Sequence, residues 1–223
     1  AALLIANSHI EAYYPIPQLA ADGLLGDTMF FFLSGYGLAL SAKRTTRGFL
    51  SWYGRRLARI FPSILLVVLL FDYLPESGWR TWSVADHALN FGLGRSYPFV
   101  AQILAFYVPF YAILRAGRDD RFLHVAVALL LPYPVLAYLG KGVATNHALH
   151  LIFYFQAMLF GGWLAGRQEA IRPAGMRSAA MLMALAILYV AARVAANSGR
   201  LGGLFFAPHL MLFPMLVLLL GLA

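Results

Sequence analysis

Two arginines at the start of an apolar run could together hold a polyanion. Arg56 and Arg59 are three residues apart and would share one face of a helix. Their guanidinium forks match the oxygens of a phosphate group in bidentate fashion. The competing interpretation is ordinary anchoring at lipid head groups, which accounts for most arginines in such loops. Arg59 fits that interpretation less well, because it lies beyond the loop and immediately before the apolar run.

A histidine near the start of the chain could act as a general base. His9 ends a short apolar stretch, and Glu11 follows just beyond it as a supporting carboxylate. A neutral imidazole can take the proton of a hydroxyl group while that oxygen attacks a carbonyl. The alternative is a histidine at a helix end that is wetted by interfacial water. Taken by themselves, these residues leave both interpretations open.

A third group of candidates opens the next apolar run. Asp27 could be a proton relay, a partner for His9 or an interfacial charge. Ser34 follows with Gly35 and Gly37, and these small residues would let a second helix or a ligand approach the backbone closely. Helix packing alone would be enough to explain them.

Several other kinds of chemistry are excluded or disfavoured. The chain has no cysteine, which excludes disulfides, thiol catalysis and Cys-ligated metal sites. His147 and His150 share a helical face, but no carboxylate or third histidine lies near them in the sequence, so we expect no metal site. The net charge of +8 comes without a basic run interleaved with aromatic residues on a polar face, so we expect no nucleic-acid partner.

The elements that must position these residues are transmembrane helices. The chain is 61% hydrophobic and 15% aromatic, with a mean hydropathy of +0.73, which is typical of an integral membrane protein. The run 64–70 does not alternate, so the spans are predicted to be helices rather than strands. We predict an all-α, polytopic transmembrane helix bundle forming a single domain over residues 1–223, with a truncated first helix. Its seven full spans are 24–41, 57–74, 98–114, 122–140, 149–166, 178–196 and 204–222.

Lysine and arginine are concentrated in alternate gaps between these runs. The loops 42–59, 115–121 and 167–177 hold 12 of the 17 positive residues, and the other gaps hold 5. Cytoplasmic loops of membrane proteins carry an excess of Lys and Arg. We therefore predict that these three loops face the cytoplasm and that the chain crosses the membrane several times.

The order of three motifs resembles the acyltransferase-3 family of polytopic membrane O-acyltransferases. His9, at the end of the first helix, is followed by residues 31–36 (Phe-Phe-Leu-Ser-Gly-Tyr) and then by residues 55–62 (Arg-Arg-Leu-Ala-Arg-Ile-Phe-Pro). Residues 106–109 (Phe-Tyr-Val-Pro) and the Phe- and Gly-rich stretch 153–166 resemble later parts of the same pattern.

The resemblance implies an activity and roles for the candidate residues. Such proteins move an acyl group, usually acetyl from cytoplasmic acetyl-CoA, to a carbohydrate or another acceptor across the membrane. His9 would be catalytic, and Arg56 and Arg59 would bind acyl-CoA, the donor substrate, with no bound cofactor. The supporting or acceptor-side residues would be Asp27, Ser34 and Glu11.

The resemblance also implies a location, partners and a longer parent chain. The location would be the cell (inner) membrane, and the partners would be acyl-CoA, membrane lipids and a carbohydrate or lipid-linked glycan acceptor. Relatives commonly have more helices, so we expect this chain to be a fragment, incomplete at its N-terminus and at its C-terminus. Two rival interpretations are a transporter or flippase for a glycan or lipid intermediate, and a membrane scaffold without catalysis.

Overall fold

The computed structural model describes nine stretches of the chain: residues 23–43, 48–69, 73, 81–93, 98–116, 120–132, 143–167, 175–197 and 210–222. These stretches contain eight helices and no strand, which confirms the all-α prediction for the described residues. The helices are α1 (Gly23–Lys43), α2 (Phe49–Val68), α3 (Val84–Leu93), α4 (Pro98–Arg115), α5 (Asp120–Ala128), α6 (Val143–Ala165), α7 (Met176–Asn197) and α8 (Leu212–Leu222).

The described helices form two compact units. The large unit contains α1 and α5 to α8, and the small unit contains α2 to α4. The single transmembrane domain over residues 1–223 stays a prediction.

The large unit is built around the seam, which is the contact between α1 and α6. It is the most extensive contact between two of the described helices. Its tightest points are two glycines. A Cβ atom placed on Gly35 would lie 1.9 Å from the carbonyl oxygen of Met158, and one on Gly161 would lie 2.0 Å from that of Phe32. Small residues at such points let two helix backbones approach closely.

Helices α1 and α6 run in the same direction. Asp27, near the start of α1, is hydrogen-bonded to Tyr154 of α6. Tyr36, more than two turns further along α1, lies against the position of Gly161, nearly two turns further along α6. The two helices therefore end at the same side of the large unit.

Helix α5 runs in the opposite direction beside α6. Gln156 is 2% exposed, and its Nε2 donates to the carbonyl oxygen of Ala126 at 2.8 Å. Just after the end of α6, Nη2 of Arg167 lies 2.7 Å from Oδ1 of Asp120, at the start of α5. Asp120 and Arg167, which belong to the loops 115–121 and 167–177, therefore meet at one end of the large unit.

The small unit is held together by aromatic contacts between α2 and α4, which are antiparallel. The rings of Phe49 and Tyr111 are 5.2 Å apart, and Tyr53 donates its hydroxyl to the carbonyl oxygen of Leu104 at 3.3 Å. Helix α3 contacts both α2 and α4. The start of α2 therefore lies at the same end of the small unit as Arg115, which ends α4.

Two of the described helices are long and apolar enough to cross a membrane. They are α6, over Ala148–Ala165, and α7, over Met176–Ala195. Helices α4 and α8 are apolar but shorter. Helix α7 exposes large apolar side chains along most of its length, as a helix facing lipid tails would. The other five full spans stay predictions.

Four predicted spans have different limits in the structure. Helix α6 begins at Val143, before the predicted span 149–166, and helix α8 begins at Leu212, inside the predicted span 204–222. The helix of span 57–74 begins earlier, at Phe49, because Phe49 and Trp52 pack against Tyr111 and extend α2 into the basic loop. The helix of span 122–140 ends at Ala128 and is followed by turns. A proline ring clashes with the carbonyl four residues before it, so Pro132 cannot continue this helix.

Helix α3 lies in the gap 75–97, where the hydrophobic runs gave no helix. Its start is a capping box. The Ser83 N–H donates to Oδ2 of Asp86 at 2.9 Å, and the Asp86 N–H donates to Oγ of Ser83 at 3.2 Å. The Ser-x-x-Asp pattern before an apolar run was visible in the sequence and would have predicted this helix.

Candidate functional site

Arg56 is held against an aromatic ring in the small unit. Its guanidinium carbon lies 4.3 Å from the centroid of the Trp52 ring, and its Nη1 donates to the carbonyl oxygen of Trp52 at 3.3 Å. Trp52 is 4% exposed. A cation over an indole ring contributes about 0.5–2 kcal/mol, depending on desolvation. Arg59, three residues later, is exposed.

A second cation, Arg115, belongs to the same cluster and was missed as a site residue in the sequence. Its Nε donates to the hydroxyl of Tyr111 at 2.8 Å, and its guanidinium carbon lies 5.3 Å from the centroid of that ring. The Trp52 and Tyr111 rings are 4.9 Å apart, so a continuous aromatic contact connects Arg56 to Arg115. We call these four residues the basic–aromatic cluster. The Tyr-x-x-x-Arg spacing at the end of an apolar run could have identified Arg115 in the sequence, because residues four apart are neighbours on a helix.

The basic–aromatic cluster has the chemistry of an anion site. Two guanidinium groups at one end of a compact unit attract phosphate groups and can donate several hydrogen bonds to their oxygens.

Asp27 has a specific partner in the large unit. The hydroxyl of Tyr154 donates to Oδ2 of Asp27 at 3.1 Å across the seam. Tyr154 is 8% exposed, and its ring stacks on that of Phe31 with 5.1 Å between centroids. His150, one turn earlier in α6, is exposed, and its ring centroid lies 6.1 Å from that of Tyr154. We call Asp27 and Tyr154 the seam pair.

The small residues of α1 take different positions. Gly35 meets the backbone of α6, whereas a Cβ on Gly37 would have no neighbour within 4 Å. Ser34 is half-buried. At Gly35 the partner that approaches the backbone of α1 closely is therefore a second helix, α6.

The ion pair between Arg167 and Asp120 is supported by a third residue. The guanidinium carbon of Arg167 lies 4.6 Å from the centroid of the Trp163 ring. The side chains of Arg167 and Asp120 are 40% and 55% exposed. Such an exposed pair contributes little by itself, about 0–1 kcal/mol. It is better suited to fixing the end of α5 against α6 than to binding a substrate.

A polar aromatic cluster also lies at α3. Nδ1 of His87 is hydrogen-bonded to the hydroxyl of Tyr73, and the Trp82 ring lies 5.6 Å from that of His87. Phe91 stacks on Tyr73 with 4.9 Å between centroids. These contacts hold α3 against Tyr73, which lies before it in the chain and belongs to the same unit.

The remaining predicted site residues, His9 and Glu11, lie outside the described residues, as does the side chain of His147. Within the nine described stretches, no group of three or more His, Cys, Asp or Glu side chains is placed to hold a metal ion.

No protein-family model, curated protein or solved structure matches this chain. The chemistry of the two sites therefore has to be inferred from their own residues. The large unit offers a carboxylate–phenol pair, and the small unit offers two guanidinium groups on aromatic rings.

Proposed function

We propose that this protein is a membrane-embedded acyltransferase. It moves an acyl group, most simply acetyl, from cytoplasmic acyl-CoA to a hydroxyl group of an extracytoplasmic carbohydrate or other cell-envelope acceptor. The observation that carries the proposal is the fixed position of Arg56, which lies in the motif that resembles the acyltransferase-3 family. An arginine that only anchored the helix would extend its guanidinium toward the head groups.

The donor side of the reaction belongs to the small unit. Arg56, Arg59 and Arg115 provide three positive charges for the phosphates of CoA. Arg56 and Arg115 are pre-positioned by aromatic rings, so less conformational entropy is lost when they bind a phosphate. Arg59 is exposed and adds a donor that adjusts to the ligand.

The chemical step is assigned to His9 because of the family resemblance. Its imidazole takes the proton of the acceptor hydroxyl while that oxygen attacks the thioester carbonyl. A new C–O bond forms, the C–S bond breaks, and the imidazolium returns the proton to the leaving thiolate of CoA. The products are the O-acyl acceptor and CoA, and no redox cofactor is needed.

The proposed membrane arrangement is a multi-pass protein of the inner membrane with the loops 42–59, 115–121 and 167–177 in the cytoplasm. Helix directions inside each unit support it. In the large unit, the end of α6 meets the start of α5 through Arg167 and Asp120. In the small unit, the start of α2 lies beside the end of α4. Each of these meetings joins two loops that the charge pattern assigns to the same side.

The proposed catalytic role is tested with purified protein in proteoliposomes, labelled acetyl-CoA and a panel of cell-envelope glycans. General acid–base catalysis contributes about 10²- to 10⁴-fold, so His9→Ala should lower acetyl transfer by that factor and leave CoA binding unchanged. Full transfer activity in His9→Ala would refute the role of His9. Transport of a glycan without loss of acetyl from acetyl-CoA would instead support a transporter or flippase.

The donor site is tested by CoA affinity. A hydrogen bond to a charged group contributes about 1.5–3 kcal/mol, so Arg56→Ala should weaken CoA binding about 10- to 100-fold. Arg177→Ala is the matched control, because Arg177 is an exposed arginine of another predicted cytoplasmic loop. If both variants bind CoA with the same affinity, Arg56 does not bind CoA and serves only to anchor the helix at the lipid head groups.

A further inference from the structure

Helix α3 exposes its apolar side chains and turns its polar side chains inward. The exposed residues of the stretch 84–91 lie one or four positions apart, so they form one continuous face of the helix. We call them the exposed face of α3: Val84, Ala85, Ala88 and Leu89. Val84 is 87% exposed and Leu89 is 49% exposed. A surface helix of a soluble protein has the opposite arrangement, with its apolar stripe against the core.

The polar side chains of α3 lie on the other side of the helix. Asn90 is 0% exposed, and Asp86 and His87 are half-buried. Nδ1 of His87 is hydrogen-bonded to the hydroxyl of Tyr73, and the Tyr73 ring stacks on that of Phe91. The small unit therefore covers the polar side of α3 and leaves its apolar side exposed.

This arrangement is unfavourable in water and favourable in an apolar medium. Water would gain nothing from contact with valine and leucine, and it would hydrate an amide or an imidazole better than a protein interior does. In a lipid layer the preference is reversed, because polar groups then need partners in the protein and apolar groups can face the tails. Helix α7, which is long and apolar enough to cross a membrane, likewise exposes Met183, Ile187 and Val190.

The exposed face of α3 suits lipid tails better than a protein partner. It contains no charged, aromatic or hydrogen-bonding side chain. The centre of a protein interface is enriched in Tyr, Trp and Arg, and its rim is polar. A uniformly apolar face without any polar rim matches the uncharged acyl chains of a lipid layer.

The length and the start of α3 indicate where in the lipid layer it lies. Its 10 residues rise about 15 Å, which is half of the hydrocarbon thickness of about 30 Å, so the helix does not span it. Trp82 directly precedes the helix, and tryptophan rings favour the head-group level. Tyr73, which contacts α3, follows the end of α2 closely in the chain. Since α2 and α4 are antiparallel, that end is the one away from Arg115.

We propose that α3 is a half-length membrane helix whose exposed face contacts lipid acyl chains, at the end of the small unit away from Arg115. The gap 75–97, which has the composition of a loop outside the membrane, is then partly inside the lipid layer. The hydrogen bond between His87 and Tyr73 is shielded from water by the small unit on one side and by lipid on the other. The proposal stands on the burial pattern of α3 and not on the reaction that the protein catalyses.

Single cysteine variants test the proposal directly, because the chain has no cysteine of its own. Ala88→Cys and Leu89→Cys each place a label on the exposed face of α3. Arg177→Cys is the matched control, since Arg177 is an exposed residue of a predicted cytoplasmic loop. Each purified protein is labelled with bimane and placed in phosphatidylcholine nanodiscs. Two quenchers are compared: a phosphatidylcholine with a nitroxide on its acyl chain, and iodide in the water.

We expect the acyl-chain nitroxide to lower bimane fluorescence at positions 88 and 89 about twofold or more. Iodide should quench these two labels about fivefold less than the label at position 177, because the ion does not enter the hydrocarbon. Iodide quenching as strong as in the control would place the exposed face of α3 in water and overturn the proposal.

Protection from both quenchers would also overturn it, because a second copy of the chain or another of its segments would then cover the exposed face of α3. Circular dichroism of each labelled protein checks that it folds. If Leu89→Cys does not fold, Ala88→Cys carries the test, since it adds only one sulfur atom at an exposed position. Acetyl transfer is measured separately, so its absence would refute the proposed function and leave the quenching result unchanged.

Discussion

Replacing Gly35 by alanine tests how the seam holds α1 against α6. The added Cβ would lie 1.9 Å from the carbonyl oxygen of Met158, 2.7 Å from its carbonyl carbon and 3.1 Å from its Cα. All three are backbone atoms and cannot rotate away. Ordinary contact begins at 3.4 Å, so the two helices must separate by about 1.5 Å at this point.

The magnitude follows from two opposing effects. Overpacking a close contact costs about 1–3 kcal/mol, and a clash with rigid backbone belongs at the upper end of that range. Alanine is favoured over glycine in a helix interior by about 0.5–1 kcal/mol. We therefore expect Gly35→Ala to lower the free energy of unfolding by about 2 kcal/mol, a factor of about 30 in the folding equilibrium.

Gly37→Ala is the matched control, because a Cβ there meets nothing within 4 Å. It should be neutral or should stabilise the protein by up to about 1 kcal/mol. Unfolding in mixed micelles, followed by circular dichroism, measures both variants against the wild type. If Gly35→Ala is as stable as Gly37→Ala, the close approach of α1 and α6 is refuted, and with it the register that places Asp27 beside Tyr154.

Two further predictions concern the ends of helices. Ser83→Ala removes the capping box of α3 and should destabilise that helix by about 1 kcal/mol, which faster hydrogen exchange of its amides would reveal; unchanged exchange would contradict the cap. Asp120→Asn breaks the exposed ion pair with Arg167 and should change stability by less than about 1 kcal/mol, with the difference shrinking as salt is added. A larger loss in thermal unfolding, insensitive to salt, would show that the pair is more than an exposed contact.

Much of the helical architecture could be predicted from hydrophobic runs, because a helix in an apolar medium must be apolar over its length. The predicted spans 24–41, 98–114 and 178–196 agree closely with the limits of α1, α4 and α7. Hydropathy fails where a helix leaves the apolar run. Helix α2 extends into a basic loop because aromatic residues of its first turns pack on α4. A hydropathy average over neighbouring residues in the sequence cannot report such a contact between two helices.

The sequence allowed the charged candidate residues to be predicted, but for the most part it did not allow the residues that contact them to be predicted. Arg56 and Asp27 stand out in the sequence because they are charges at the edge of apolar runs. Tyr154 does not, because it is one of 12 tyrosines and its contact with Asp27 bridges 127 positions of the chain. Arg115 could have been found, since its partner Tyr111 is one helical turn away.

The parallel packing of α1 and α6 has a consequence for biosynthesis. Gly35 and Met158 are in contact but are 123 positions apart in the chain. At a synthesis rate of about 5–20 residues per second, α1 exists for about 6–25 seconds before the helix that covers it has been made. During that time its glycine face and the carboxylate of Asp27 have no α6 to pack against. Until α6 has been made, any partner that covers this face of α1 must come from outside this pair of helices.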